Sequence, residues 1–138
     1  PLVAVIGLGG VGSHCAHALV RAGIKRLRLV DFDRVSLSSL NRHAVGTRCD
    51  VGISKVVACA AHFTAIAPDC MAEACDEMFT AESAERLLGA RYNSTSDLWE
   101  TPSVVVDCID DVNTKVDLLS ACVQRGLHAL SALGSGAK

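Results

Sequence analysis

A glycine-rich segment near the amino end could bind the phosphates of a nucleotide. It follows a continuous apolar run and reads Gly-Leu-Gly-Gly-Val-Gly over residues 7–12. We expect Gly7 to permit a tight turn, Gly9 to let a phosphate approach the backbone, and Gly12 to let the next helix pack closely. That helix, from Gly10 onward, would present free N–H groups and a positive dipole end to an anion. The motif predicts a nucleotide site without specifying the nucleotide.

A carboxylate at the end of the second predicted strand could hold a ribose. Asp31 ends the segment Arg26–Asp31, where its oxygens could accept hydrogen bonds from both ribose hydroxyls. NAD-binding and ATP-binding proteins share this feature. The glycine motif and Asp31 therefore leave the choice between the two ligands open.

The polar residues that follow favour ATP over NAD. They are Asp33, Asn41, Arg42 and Lys55. A triphosphate is activated only when cations hold its β and γ phosphates, and Arg42 would supply a bidentate fork while Lys55 supplies a point charge. Either cation alone would more often be a solvated surface charge. Together with the glycine motif, they indicate a triphosphate site.

Two carboxylates follow the fourth predicted strand. Asp110 and Asp111 would lie across a crevice from the glycine motif, at the place where Mg²⁺ is held by one or two carboxylates and the phosphates of a substrate. Asp111 could equally cap the following helix. We therefore assign Asp110 to the metal and leave both roles open for Asp111.

Strand-like and helix-like segments alternate along the chain, which predicts an α/β fold. The predicted strands cover residues 2–6, 26–31, 70–75, 104–106 and 127–130, and the predicted helices cover 10–22, 50–67, 80–88 (capped by Thr80) and 114–124. Residues 36–42 would form a short helix or turn, and residues 91–102 a polar surface loop. This alternation predicts a Rossmann-like, doubly wound, mainly parallel sheet with strand order 3-2-1-4-5. The ligand crevice would lie at the carboxyl ends of strands 1 and 4.

The composition is that of one globular domain. Lys plus Arg number 13 and Asp plus Glu 15, a net charge of −2, so no basic surplus indicates nucleic-acid binding. No apolar run approaches the roughly 20 residues of a membrane helix. Because a strand-like segment begins directly at Pro1, we expect residues 1–138 to be the nucleotide-binding half of a longer protein that lacks its amino- and carboxyl-terminal parts here.

The cysteines and histidines predict no further centre. Seven cysteines without a Cys-x-x-Cys pair favour a reducing, intracellular compartment. None has the setting of a nucleophile, although Cys108, just after a strand, is the least easily dismissed. His14 and His17 could share a metal but lack a third ligand. Tyr92 and Trp99 could stack a base, and we favour a local anchoring role for them.

Five motifs in order resemble the ubiquitin-activating-type, or ThiF/MoeB-like, adenylation superfamily, which includes the activators of sulfur carriers. They are Gly-Leu-Gly-Gly-Val-Gly-Ser (7–13), Asp31-x-Asp33, Ser-Leu-Asn-Arg (39–42), Gly52-x-x-Lys55 and Asp107-x-x-Asp110. Residues 31–43 and 50–55 are most similar to the tRNA threonylcarbamoyladenosine dehydratases, in particular to their eukaryotic branch. The resemblance covers nearly the whole chain.

The resemblance implies that Gly10, Asp31, Asn41, Arg42, Lys55 and Asp110 contact ATP or its Mg²⁺. It implies a homodimer, and a location in the cytoplasm or at the mitochondrial outer membrane. It also implies a reaction that adenylates the threonylcarbamoyl carboxylate at adenosine 37 of tRNA and then closes a ring with net loss of water. The tRNA would be bound through parts that are not evident in this chain.

Three other functions use part of the same pattern. An enzyme that adenylates the carboxyl end of a small ubiquitin-like or sulfur-carrier protein would share the whole site. A nicotinamide-dependent oxidoreductase would leave Arg42, Lys55 and Asp110 without a role. A non-catalytic nucleotide sensor would be expected to lack one of the two cations, and both are present.

Overall fold

The structure, a computed structural model, describes residues 1–94 and 97–132. This part of the chain contains seven strands and four α-helices. The strands are β1 (Leu2–Ile6), β2 (Arg26–Asp31), β3 (Met71–Asp76), β4 (Arg91–Asn93), β5 (Leu98–Glu100), β6 (Val104–Asp107) and β7 (His128–Ser131). The helices are α1 (Gly10–Arg21), α2 (Lys55–Ile66), α3 (Ala84–Leu88) and α4 (Val112–Gln124).

The central sheet is parallel and has the order β3-β2-β1-β6-β7. This order confirms the predicted one, since β6 and β7 are the fourth and fifth predicted strands. β1 lies in the middle and is buried along its whole length, as its continuous apolar sequence predicted. From β1 the chain adds β2 and β3 on one side of the sheet and then β6 and β7 on the other. The strand order therefore reverses between β1 and β6, and a crevice opens at the carboxyl ends of these two strands.

Two apolar cores cover the two faces of the sheet. On one face, Val3 and Val5 of β1 pack in a cluster with residues of α1 and α2, including Phe63. On the other face, Ala4 and Ile6 pack with residues of α3 and α4. The alternation along β1 therefore places two helices on each side, which confirms the doubly wound architecture.

The segment predicted as a surface loop, residues 91–102, contains a hairpin instead. β4 and β5 pair antiparallel, and Tyr92 lies opposite Trp99 with their rings edge to face at 5.8 Å. Arg26 of the sheet forms an ion pair with Glu100 of the hairpin. Each strand has only three residues, too few for an alternating pattern to show in the sequence. Residues 95 and 96, and the end of the chain at 133–138, lie outside the described residues.

Two predicted helix starts were wrong by four or five residues, and α4 begins at Val112, two residues before its predicted start. α2 begins at Lys55 rather than at residue 50, because Asp50 accepts a hydrogen bond from the Thr47 amide and closes a short 3₁₀ turn, and Gly52 then takes a positive φ of 92°. α3 begins at Ala84, since Thr80 closes a turn with Ser83 instead of capping the helix. No helix in the described parts of the chain is both long and apolar enough to cross a membrane.

Candidate nucleotide-binding site

The glycine loop between β1 and α1 is closed by contacts that exclude side chains. Gly7 has a φ of +97°, and a Cβ atom there would lie 2.7 Å from the carbonyl oxygen of Cys108. A Cβ atom on Gly12 would lie 1.7 Å from the carbonyl oxygen of Gly7. On Gly9 it would meet nothing within 4 Å. The loop is therefore packed on its inner side and open at Gly9, which is the geometry that the motif predicts.

Asp31 connects this loop to the segment after β2. One of its carboxylate oxygens accepts a hydrogen bond from the Leu8 amide at 2.6 Å, and the other accepts one from the Asp33 amide at 2.7 Å. Each carboxylate oxygen has a further lone pair, so both can still accept a hydrogen bond from a ribose hydroxyl. The two backbone amides thus orient the carboxylate and leave a lone pair on each of its oxygens available to a ligand.

A cleft of about 670 Å³ lies at the carboxyl ends of β1, β2 and β6. It brings together nine of the eleven predicted site residues, namely Gly7, Gly9, Gly10, Asp31, Asp33, Arg42, Lys55, Asp110 and Asp111. Gly12 lies beneath the loop and does not line the cleft. Asn41 does not line it either; its side-chain oxygen accepts a hydrogen bond from Arg42 at 3.3 Å.

The two predicted cations occupy different environments. Lys55 is the first residue of α2 and is only 8% exposed, with its Nζ 3.7 Å from Oδ2 of Asp33. Arg42 is exposed at the edge of the cleft and donates to the carbonyl oxygen of Ser38 at 3.1 Å. Lys55 is therefore held inside the cleft, while Arg42 can adjust to a ligand.

The two neighbouring carboxylates have separate roles. Asp111 caps α4, since its Oδ2 accepts hydrogen bonds from the amide and hydroxyl of Thr114 at 2.9 and 2.8 Å, and these bonds lower the pKa of the Asp111 carboxyl. Asp110 is exposed to the cleft and has no hydrogen bond or ion pair within the described residues. A free carboxylate facing a phosphate-sized space fits the pattern of a Mg²⁺ ligand.

A buried ion pair behind Asp110 was not predicted. Nζ of Lys115 lies 2.7 Å from Oδ2 of Asp107, which is fully buried. The same ammonium donates to the carbonyl oxygen of Ala132 at 2.9 Å, and Oγ of Ser131 donates to Asp107 at 2.6 Å. The pair thus joins β6, β7 and α4 at the cleft. Its only sequence signal was a carboxylate at the end of a buried strand and a lysine in the following helix.

Apolar side chains that were not predicted complete the wall of the cleft. Phe32, Met78 and the buried Phe79 line it, from the segments after β2 and β3.

His43 also lines the cleft and is buried. Its Nδ1 accepts a hydrogen bond from the Gly46 amide at 2.8 Å, and burial, with Lys55 nearby, lowers the pKa of His43. A neutral imidazole at pH 7 therefore faces the cleft.

Within the described residues, no group of three or more His, Cys, Asp or Glu side chains could hold a metal ion by itself. His17 instead stacks against Phe63 at 6.3 Å and accepts a hydrogen bond from Arg21. A cation in the cleft would consequently depend on ligand phosphates as well as on Asp110.

The cysteines near the cleft are not activated nucleophiles. Cys108 lines the cleft and is half-buried, and burial raises the pKa of its thiol to about 12. Burial also raises the pKa of Cys59 to about 12. A catalytic thiolate requires the opposite shift of the pKa. Cys108, the cysteine that was least easily dismissed from the sequence, therefore lacks the setting of a nucleophile.

We expect alkylation at pH 8 to label the exposed Cys49 long before Cys59 and Cys108. At a pKa of about 12, roughly one thiol in ten thousand is a thiolate at that pH, and only the thiolate reacts. Iodoacetamide labelling over time, read by peptide mass spectrometry, measures the order, and the unfolded protein in guanidinium serves as the control. Labelling of Cys108 as fast as that of Cys49 would show that its thiol is activated.

The sequence model of the ThiF family matches residues 2–138. The chain belongs to this family. Over 136 residues it is 44% identical to tRNA threonylcarbamoyladenosine dehydratase 2 of Saccharomyces cerevisiae, covering 99% of this chain and 29% of that protein. It is 33% identical to the tRNA threonylcarbamoyladenosine dehydratase of Bacillus subtilis, covering 99% and 50%. The resemblance to this superfamily is thereby confirmed.

Solved structures show the same fold. The Escherichia coli tRNA N6-threonylcarbamoyladenosine dehydratase TcdA, in complex with ATP, superposes with a TM-score of 0.84 at 30% identity and covers 99% of this chain and 52% of that one. A complex of TcdA with AMP superposes equally well. The chain thus spans about half or less of the length of these relatives.

Proposed function

We propose that this ThiF-family chain is the adenylating half of an ATP-dependent tRNA threonylcarbamoyladenosine dehydratase. It would adenylate the threonylcarbamoyl carboxylate at adenosine 37 of tRNA, after which the ring closes with net loss of water. The observation that carries the proposal is the convergence of Arg42, Lys55 and Asp110 on one cleft beside the glycine loop. The 44% identity with the yeast dehydratase supports the choice of substrate.

The residues of the cleft divide the work of binding ATP. Asp31 accepts hydrogen bonds from the ribose hydroxyls, and the open side of the loop at Gly9 and Gly10 receives phosphate. Lys55 and Arg42 hold the β and γ phosphates, whose charge grows as pyrophosphate leaves. The substrate carboxylate then attacks the α-phosphate, which forms the acyl-adenylate and releases pyrophosphate. Intramolecular attack on the acyl carbon releases AMP.

A divalent cation fits the charge of the cleft. Five carboxylates line it, from Asp31, Asp33, Glu77, Asp110 and Asp111, against the two lining cations Arg42 and Lys55. Arg86 pairs with Glu77, which leaves four carboxylates against these two cations. A triphosphate adds about four negative charges, so the charges of the described residues alone oppose its binding. Asp110 would hold Mg²⁺, which neutralises phosphate charge when bound.

The partners are part of the same proposal. We propose a homodimer that binds tRNA in an intracellular, reducing compartment, in keeping with seven cysteines that show no framework spacing. A cytoplasmic location or one at the mitochondrial outer membrane follows from the eukaryotic resemblance. The yeast relative at 44% identity supports this choice of branch.

A second candidate function is activation of a small ubiquitin-like protein. The chain is 35% identical over 127 residues to ubiquitin-like modifier-activating enzyme 5 of Drosophila ananassae, covering 91% of this chain and 32% of that enzyme. Both reactions begin with an acyl-adenylate in the same cleft. They differ in the molecule that supplies the carboxylate.

Incubation of the full-length protein with ATP, Mg²⁺ and tRNA that carries threonylcarbamoyladenosine should remove the mass of one water from the modified nucleoside. Mass spectrometry of digested tRNA measures this loss, and a reaction without ATP is the control. A parallel reaction offers a ubiquitin-like protein in place of tRNA. Pyrophosphate release with the protein substrate alone, and no loss of water from tRNA, would favour the second candidate and refute the first.

A further inference from the structure

Most of the positively charged side chains form ion pairs, but a few exposed arginines do not. In the described parts of the chain, eight lysines and arginines form ion pairs with carboxylates: Lys25, Arg26, Arg28, Lys55, Arg86, Arg91, Lys115 and Arg125. Among the same residues Arg21, Arg34, Arg42 and Arg48 form none, and all four are exposed. Three of these four lie in one segment, the connection between β2 and α2.

This connection forms one edge of the nucleotide cleft. Arg42 lines the cleft itself. Val35 exchanges backbone hydrogen bonds with Gly52 and Ile53. Arg34 itself forms an isolated antiparallel bridge with Ser54. Among residues 1–94 and 97–132, the guanidinium of Arg34 donates to one group, the carbonyl oxygen of Gly52, at 2.9 Å. Arg48 begins the adjoining 3₁₀ turn. We call Arg34 and Arg48, which do not line the cleft, the arginine edge.

The carboxylates of the same connection are already engaged. Asp33 pairs with Lys55. Asp50 accepts hydrogen bonds from Thr47 and from Nε2 of His62, the latter at 2.8 Å, and its pKa is lowered despite its burial, because of these hydrogen bonds. The connection, residues 32–54, therefore carries three arginines against two carboxylates, and one of these carboxylates, Asp33, also faces Lys55. A net charge of −2 for the chain thus conceals a local positive surplus beside the cleft.

We propose that the arginine edge binds the phosphate backbone of the RNA substrate and holds the modified nucleoside at the mouth of the cleft. This inference rests on the proposed function. Arginine binds phosphates through bidentate hydrogen bonds, and such contacts position an RNA without reading its sequence. The surface thereby supplies, within this chain, an RNA contact that the sequence did not reveal.

A second copy of the chain is the competing occupant of this surface. Exposed apolar side chains, Leu37 and Ile53 among them, lie in the same connection, as they would in a contact between two copies. In a two-fold contact, however, the surface meets itself. The arginines of the two copies would then face each other, with Asp33 and Asp50 already engaged. A bound polyanion would neutralise this positive charge, whereas a second copy would place further positive charge against it.

The test compares the full-length protein with its double variant Arg34→Gln/Arg48→Gln in binding to tRNA at several KCl concentrations. The matched control is Arg21→Gln/Lys25→Gln, which also removes two positive charges. These two residues lie at the end of α1 that is remote from the glycine loop, and the helix is about 18 Å long at 1.5 Å per residue. We expect the salt dependence of log K to fall by about 1.4–1.8 in the test variant, at about 0.7–0.9 per phosphate contact. The affinity at 0.1 M salt should fall roughly tenfold or more, with ATP binding unchanged in both variants.

Three other results are distinguishable. If the unchanged protein fails to bind or modify tRNA, the proposed function is overturned and this inference with it. If it binds and modifies tRNA, and the test variant has the affinity and salt dependence of the control, only this inference is overturned. If light scattering shows that the test variant changes the oligomeric state while the RNA affinity per subunit is retained, the arginine edge is a contact between copies, and the inference is overturned as well.

Discussion

Replacing Asp110 by asparagine should lower the rate of AMP formation by roughly 10²–10³ while the melting temperature stays nearly unchanged. The side chain faces the cleft and has no partner among the described residues, so the substitution keeps the shape and removes only the charge that would hold Mg²⁺. Arg42→Ala and Lys55→Ala should lose a similar factor each, because one interaction with charge that develops in the transition state is worth about 3–4 kcal/mol.

The measurement is AMP formation by the full-length variants at saturating Mg²⁺, alongside thermal melts of the same samples. Asp117→Asn, on the exposed side of α4, is the matched control for the carboxylate, and Arg21→Ala is the control for the cations. Solvated charges without a role would shift stability within about 0.5 kcal/mol and leave turnover alone. Near-normal AMP formation in Asp110→Asn would remove Asp110 from the metal site, and normal rates in both cation variants would refute the adenylation mechanism.

Replacing Lys115 by methionine should destabilise the fold more than any of those changes. It leaves the carboxylate of Asp107 buried without its counter-ion, and breaking a buried ion pair in this way costs about 3–5 kcal/mol. Urea unfolding of the variant measures the loss. Since the pair joins β6, β7 and α4, the cleft should lose nucleotide affinity together with stability.

The double variant Lys115→Met/Asp107→Asn separates the charge from the packing. Removing both charges leaves no uncompensated ion, so the double variant should be more stable than Lys115→Met alone, which is a strong coupling between the two positions. Lys115→Arg, which keeps the charge, should retain most of the stability. If Lys115→Met and Lys115→Met/Asp107→Asn lose the same free energy of unfolding, the pair contributes through packing rather than through charge.

The sequence predicted the elements whose residues obey a strong local rule. β1 is apolar at every position and is buried at every position, and the glycines at 7 and 12 occupy places where a Cβ atom would collide with the backbone. The parallel order followed because strands and helices alternate and their crossovers have one hand. These rules act within a few residues or on topology alone, so they can be read without the structure.

Features that depend on distant contacts could not be predicted. The hairpin of β4 and β5 is held by an ion pair between Arg26 and Glu100, far apart in the chain. Lys115 reaches a carboxylate and a strand end on other elements. Asp110 and Asp111 are adjacent and chemically identical, and only the hydrogen bond to Thr114 shows that Asp111 caps the helix. Local spacing carries no information about any of these choices.

The steric closure of the glycine loop has a thermodynamic consequence for the ligand. Gly12 lies against Gly7, and the Leu8 amide donates to Asp31, so contacts within the chain hold the backbone of the loop. A loop that ordered only on binding would spend about 1–2 kcal/mol of conformational entropy for each residue it fixed. A loop held by contacts within the chain meets that cost on folding. In the proposed function, the favourable energy of phosphate contact would then remain available to orient and activate the triphosphate.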